Sequence, residues 1–88
     1  SGVKEINVNN DLILYPNPAI DQITIDFLGE VIGIRIYNML GELIIEQKIT
    51  DGQSSVVIEL HNCKSSYYNA HLLRKDGSIV QKIFNIIE

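Results

Sequence analysis

Residues 12–27 read LILYPNPAIDQITIDF, and the fold turns on how that stretch divides. Its second half alternates. Ile23, Ile25 and Phe27 fall on one side of an extended chain, with Thr24 and Asp26 on the other, the mark of a strand with one buried and one wet face. Its first half is a short apolar run from Leu12 to Tyr15. Between the halves stand both prolines of the chain, Pro16 and Pro18, on either side of Asn17. Proline fixes φ at about −65° and has no N–H to give, so this pair is excluded from a central strand. Tyr15 and Asn17, each preceding a proline, are driven toward extended backbone. The stretch therefore predicts strand, corner, strand. The corner should run extended across the edge of a sandwich and rejoin a strand near Asp21.

The same period of two continues outward. Ile34 and Ile36 alternate with Arg35 and Tyr37, and Val56, Ile58 and Leu60 with Val57 and Glu59. Near the end, Val80, Phe84 and Ile86 share a face with Lys82, while Ile79, Ile83 and Ile87 share the other. Two faces this apolar imply a central strand, or an edge covered by something else. Asn38-Met39-Leu40-Gly41, Asp51-Gly52 and Asp76-Gly77 supply turns, with glycine free to take positive φ. Seven or eight strands are expected, over 3–8, 12–15, 22–28, 33–38, 43–49, 55–60, 67–74 and 79–86, with no helix. Short strands with regular turn signals predict an all-β fold, a single antiparallel β-sandwich of immunoglobulin-like form. Its interior should hold Ile23, Ile25, Ile34, Ile36, Ile45, Val56, Ile58, Leu72 and Phe84. One domain is expected over residues 3–88, with Ser1 and Gly2 read as the remnant of an expression tag.

Composition narrows the function. Eleven acidic against seven basic residues give a formal charge of −4, and the cations are scattered, with only Arg74 and Lys75 adjacent. A nucleic-acid partner would need a basic face, so none is expected. No apolar run reaches the roughly 20 residues that cross a bilayer, so no membrane-spanning segment is expected either. No basic-then-apolar leader opens the chain, which places any signal peptide outside it. Cys63 is the only cysteine, which leaves no internal disulfide.

Candidate chemistry is sparse. His61, Cys63 and His71 are the soft metal ligands, but zinc wants a fourth partner that no motif supplies. A Cys63 nucleophile with either histidine as base lacks an orienting group and an oxyanion pocket. Glu42 and Glu46 would lie about 13 Å apart along a strand, wider than the roughly 6–9 Å of an inverting glycosidase pair. Asp21 with Asp26 is read as a solvated strand face in the same way. Asp11, Asp51 and Asp76 lack the dense spacing of a calcium loop. The glycines are too scattered to cradle phosphate. Tyr15, Tyr37, Tyr67 and Tyr68 are candidates for a sugar platform, although packed rings with wet hydroxyls explain them better. No catalytic residue, metal or cofactor is therefore expected.

Three pieces of the chain carry a further signal. "LYPNPAIDQITIDF", "IGIRIYNMLGELIIEQKI" and "LLRKDGSIVQKIFNIIE" follow one another in an order that resembles the C-terminal sorting domain of the type IX secretion system of Bacteroidetes. Tyr15, Pro16, Asn17 and Pro18 match the family's corner. Ile36, Tyr37, Asn38 and Gly41 match its middle turn, and Asp76, Gly77, Lys82 and Phe84 its final turn and strand. The resemblance spans about Leu12 to Glu88. One departure stands out. Where the family has a Leu-Pro-x-Gly-x-Tyr-like segment, this chain has LHNCKSSYYNAHLL, keeping Leu60 and Tyr67 or Tyr68 but neither the proline nor the glycine.

The resemblance implies a non-catalytic secretion signal that directs a covalently attached N-terminal cargo through the periplasm and across the outer membrane. Its implied partners are the outer-membrane translocon and a sortase-like peptidase that, in many members, removes the domain and attaches the cargo to surface lipopolysaccharide. The implied destination is the cell surface or the medium. Recognition would fall on the matched residues: Tyr15, Pro16, Asn17, Pro18, Tyr37, Asn38, Gly41, Asp76, Gly77, Lys82 and Phe84. Strand edges leave room for an edge-strand dimer. The alternative is an accessory fibronectin-like or immunoglobulin-like sandwich that binds carbohydrate or spaces domains on a cell-surface protein.

Overall fold

The computed structural model describes residues 12–61 and 63–87. The expected strand at 3–8 and the Ser1-Gly2 remnant lie outside them. Seven strands follow in order: β1 (Leu12–Tyr15), β2 (Gln22–Phe27), β3 (Val31–Asn38), β4 (Leu43–Lys48), β5 (Ser55–Glu59), β6 (Ser66–Arg74) and β7 (Ile79–Ile86). They form two antiparallel sheets, one ordered β1-β2-β5 and the other β4-β3-β6-β7. The all-β sandwich read from the alternation is the fold.

Register explains the core. Leu12 faces Phe27 and Leu14 faces Ile25 across β1 and β2, and Ile23 faces Ile58 across β2 and β5. In the larger sheet, Ile34 lies beside Leu72, Ile36 beside Ala70, and Tyr68 beside Phe84. All are buried, so the two inner faces meet as an apolar layer. Seven of the nine expected interior residues are buried. Ile45 and Val56 only pack against the core's margin, because β4 and β5 are edge strands.

One expectation changes and one open choice is decided. The strand expected at 33 begins at Val31. A register shift between Val31 and Gly33 puts both Val31 and Ile34 inside, three residues apart, which breaks the period of two. Of the two positions left open for β7, central strand or covered edge, it takes the edge among the described residues, with Ile79 and Ile83 exposed on its outer face. What covers part of this edge is the corner, described next.

Candidate functional site

The corner leaves β1 at Tyr15 and enters β2 at Gln22, as expected, with both X-Pro bonds cis. Midway it touches the other sheet. Ala19, with no exposed surface, forms a parallel bridge to Ile86. Its N–H donates to the Asn85 carbonyl at 2.8 Å, and its carbonyl accepts from the Ile87 N–H at 2.8 Å. The Asn17 side-chain oxygen accepts the Asn85 N–H at 3.1 Å. Three hydrogen bonds thus clasp the corner to the last strand. Tyr15, on the wet face of its own sheet, donates its hydroxyl to Asp26 Oδ2 at 3.0 Å. That bond, with lesser help from burial and the carboxylate charge, raises the phenol's pKa.

The middle turn is rigid for a local reason. Asn38 Oδ1 accepts from the N–H groups of Leu40 and Glu42, both at 2.9 Å, and its Nδ2 donates to Glu42 Oε1 at 2.7 Å. The turn closes through the Gly41 N–H on the Asn38 carbonyl, with Gly41 at φ +88°. A Cβ there would meet no neighbour, so glycine serves the backbone angle alone. The turn displays Met39 and Leu40, the latter 85% exposed. Tyr37, one residue back, lies on the outer sheet face with its ring 4.6 Å from that of His71. Burial and the neighbouring Arg35 charge hold His71 below its ordinary pKa. Arg35 in turn pairs with Glu46 at 2.9 Å.

The final turn stands at the other end of the sandwich. Gly77 donates to the Arg74 carbonyl at φ +94°, and Asp76 Oδ1 accepts from both the N–H and the hydroxyl of Ser78, at 2.8 and 2.7 Å. Those bonds, side chain first, hold the Asp76 carboxyl below its ordinary value, with smaller help from Arg74. Because the folded value lies below the unfolded one, whatever stability this turn draws from the charge is present above the unfolded pKa. It is lost as pH falls through the folded value. Proton NMR should find Asp76 titrating lower than an ordinary aspartate, and Ser78→Ala should bring it up. An unchanged value in Ser78→Ala would contradict this cause.

The remaining matched residues divide. Lys82 is half-buried on β7. Phe84 is 1% exposed, its ring 6.0 Å from that of Tyr68, so it acts from the core. The corner and the Asn38–Gly41 turn share one end of the sandwich: Asn38 pairs with Tyr68, and Ile86 with Ser66, at the start of β6. Asp76 and Gly77 do not join them.

In the LHNCKSSYYNAHLL segment the two tyrosines differ in burial. Tyr68 is 5% exposed against 58% for Tyr67, and its hydroxyl donates to the Lys64 carbonyl at 2.8 Å. A buried tyrosine opening a strand and bonding to backbone four residues upstream is the tyrosine corner of immunoglobulin-like sandwiches. With proline and glycine absent, the Cys63 N–H bonds the Leu60 carbonyl at 3.0 Å and shapes the approach to β6.

The other candidate groups are dispersed. Cys63 packs against the core, where burial raises its thiol pKa. His61 lies 3.1 Å from Glu59, and His71 sits on the outer sheet face. Glu42 belongs to the turn and Glu46 to Arg35. Of the four tyrosines, Tyr15 lies on the wet face of the smaller sheet, Tyr37 and Tyr67 on the outer face of the larger one, and Tyr68 in the core. A cleft of about 540 Å³ opens at the far end beside Glu30, Thr50, Asp51 and Lys75, and none of the matched residues lines it.

What this corner, turn and tyrosine belong to is decided by one match. The family described as the secretion system C-terminal sorting domain matches residues 13–87. The chain belongs to that family. Membership makes it a type IX sorting domain, whose route leads through the outer membrane to the cell surface or medium. The family is in general non-catalytic. The sorting domain is also similar in structure to part of PorZ, described as an essential bacterial surface component of the type-IX secretion system of Porphyromonas gingivalis, with a TM-score of 0.77 and 18% identity. That match covers 99% of this chain and 13% of PorZ, so the sorting domain spans only a small part of that protein. A DUF3244 family protein from Bacteroides vulgatus, with an immunoglobulin-like β-sandwich fold, is similar at a TM-score of 0.68 and 16% identity, over 85% of this chain and 83% of that one. At these identities the two likenesses speak of fold. No individually curated protein matches. Among the described residues no helix is long and apolar enough to cross a membrane.

Proposed function

We propose that the sorting domain is a non-catalytic address label read as a folded surface. It directs an N-terminally attached cargo through the type IX translocon, and a sortase-like peptidase then acts on the junction between cargo and label. The observation that carries this reading is the family match over residues 13–87, joined to a structure in which two of the three matched motifs stand at one end of the sandwich. A label read by docking needs rigid features at fixed separation, and the clasped corner and the Asn38-braced turn supply them.

The test is a transplant. Residues 3–88 are fused behind a signal peptide and a fluorescent reporter in a bacterium with a working type IX system. Fluorescence should reach the surface or the medium, and should stay in the periplasm when the translocon is disrupted. Gly41→Val, which forces a β-branched residue to positive φ at a cost of about 1–2 kcal/mol, should lower export several-fold while the domain still melts cooperatively. Reporter held in the periplasm behind a folded, unaltered domain would overturn the proposal.

A further inference from the structure

The register of β7 with β6 runs unbroken from Ser66 and Ile86 to Leu73 and Ile79. On its other side, the described residues bring only the corner. The Asn85 carbonyl and the Ile87 N–H face Ala19, and the Asn85 N–H faces Asn17. Backbone direction alternates along a strand, so Ile79, Gln81 and Ile83 aim their N–H and carbonyl groups the same way. Among the described residues that stretch has no pairing strand. The corner shows that the edge accepts added backbone, because Ala19 already bonds to it.

Lys82 limits what can be added. It lies on the core-facing row between Val80 and Phe84, opposite buried Ala70, and no ion pair among the described residues includes it. A charge on the inner face of an edge strand discourages pairing, since an apolar newcomer would bury the ammonium unpaired. A second copy of this chain fares no better. Antiparallel self-pairing about Gln81 sets the two Lys82 residues on one face at a diagonal of roughly 7–8 Å. Residues 74–82 hold three cations, Arg74, Lys75 and Lys82, against the single carboxylate Asp76, in a chain whose overall charge is −4. The outer face of the same edge shows exposed Ile79 and Ile83.

From this we infer that the β7 edge, unpaired among the described residues, receives an extended strand of a partner protein, one that places a carboxylate beside Lys82 and apolar side chains over Ile79 and Ile83. The inference rests on the reading of β7 as part of the recognised surface and names the chemistry the partner must bring. Lys82 acts as a selector. It rejects neutral and basic strands and admits an acidic one, by repulsion as much as attraction.

The probe is a pair of capped hexapeptides of alternating Thr and Val, one with Glu and its twin with Lys at the third position. They are titrated into the nitrogen-15-labelled domain. The Glu peptide should shift the amides of Ile79, Gln81 and Ile83 and bind at least about tenfold tighter than its twin. Lys82→Glu should invert that order. Gln81→Pro removes an outward N–H at a place where an edge tolerates proline, so it should abolish binding with little change in melting temperature. Equal affinities, shifts confined to other strands, or a β7-mediated dimer in the absence of peptide would each overturn the inference. Export separates this from the larger proposal. A reporter that fails to leave the periplasm while the Glu peptide still binds sinks the sorting role and spares the edge. Full export with both Lys82→Glu and Gln81→Pro sinks the edge and spares the sorting role.

Discussion

A Phe84→Ala domain should lose most of its stability. The ring is buried against Tyr68 on the larger sheet's inner face, and truncating such a group costs about 3–5 kcal/mol. Small domains begin near the low end of the usual 5–15 kcal/mol or so, because a chain of this size buries only about 60–65% of its extended surface. Urea unfolding followed by circular dichroism should show the midpoint fall by most of its value. Phe84→Leu, which keeps most of the volume, should recover the greater part. A Phe84→Ala midpoint close to the unaltered one would mean that the tyrosine corner holds β6 and β7 together without this ring. The matched motif would then have to be explained at the surface.

Ala19→Pro should be the most damaging change within the corner. It deletes the donor that Asn85 O receives at 2.8 Å and adds a ring where no surface is exposed. A buried acceptor left unpaired costs about 1–3 kcal/mol, and overpacking adds about 1–3 kcal/mol more. Asn17→Ala removes one exposed bond and should cost only about 0.5–1.5 kcal/mol. Hydrogen exchange gives the local readout. In Ala19→Pro the amides of Asn85 and Ile87 should lose protection well before those of β2 and β3. Uniform loss across both sheets would show that the clasp is not a separable unit, and no loss at all would show that the corner does not hold the last strand.

How far the sequence foretold this can be argued residue by residue. The alternation at Ile23, Ile25, Ile34 and Ile36 gave the strands and their inner faces, because a period of two has one structural meaning when turns bound it. The prolines located the corner, because their loss of a donor is a hard constraint. Ala19 was illegible: an alanine carries no pattern, and its burial depends on two sheets meeting over it. The bulge near Ile32 hid two residues of β3 by shifting the alternation. Ile79 and Ile83 made both faces of β7 apolar, which left a central strand and a covered edge open, because its position in the sheet depends on topology, which local pattern does not contain. The choice between Tyr67 and Tyr68 needed the register of β6, and only then did a hydroxyl on the Lys64 carbonyl become visible. Of the residues proposed for recognition, sequence named the corner and the turn, while the structure sets these two at one end and Asp76 and Gly77 apart.

The clasp between Ala19 and Ile86 has a consequence for the timing of synthesis. Phe84 and Ile86 come from β7, and the corner that Ile86 bridges is made some sixty-five residues earlier. A ribosome still holding β7 in its exit tunnel carries a nascent sandwich with one wall missing and Ala19 unbonded. Closure of the core and docking of the corner therefore wait for the same event, the release of β7, and neither can be completed by the first six strands alone.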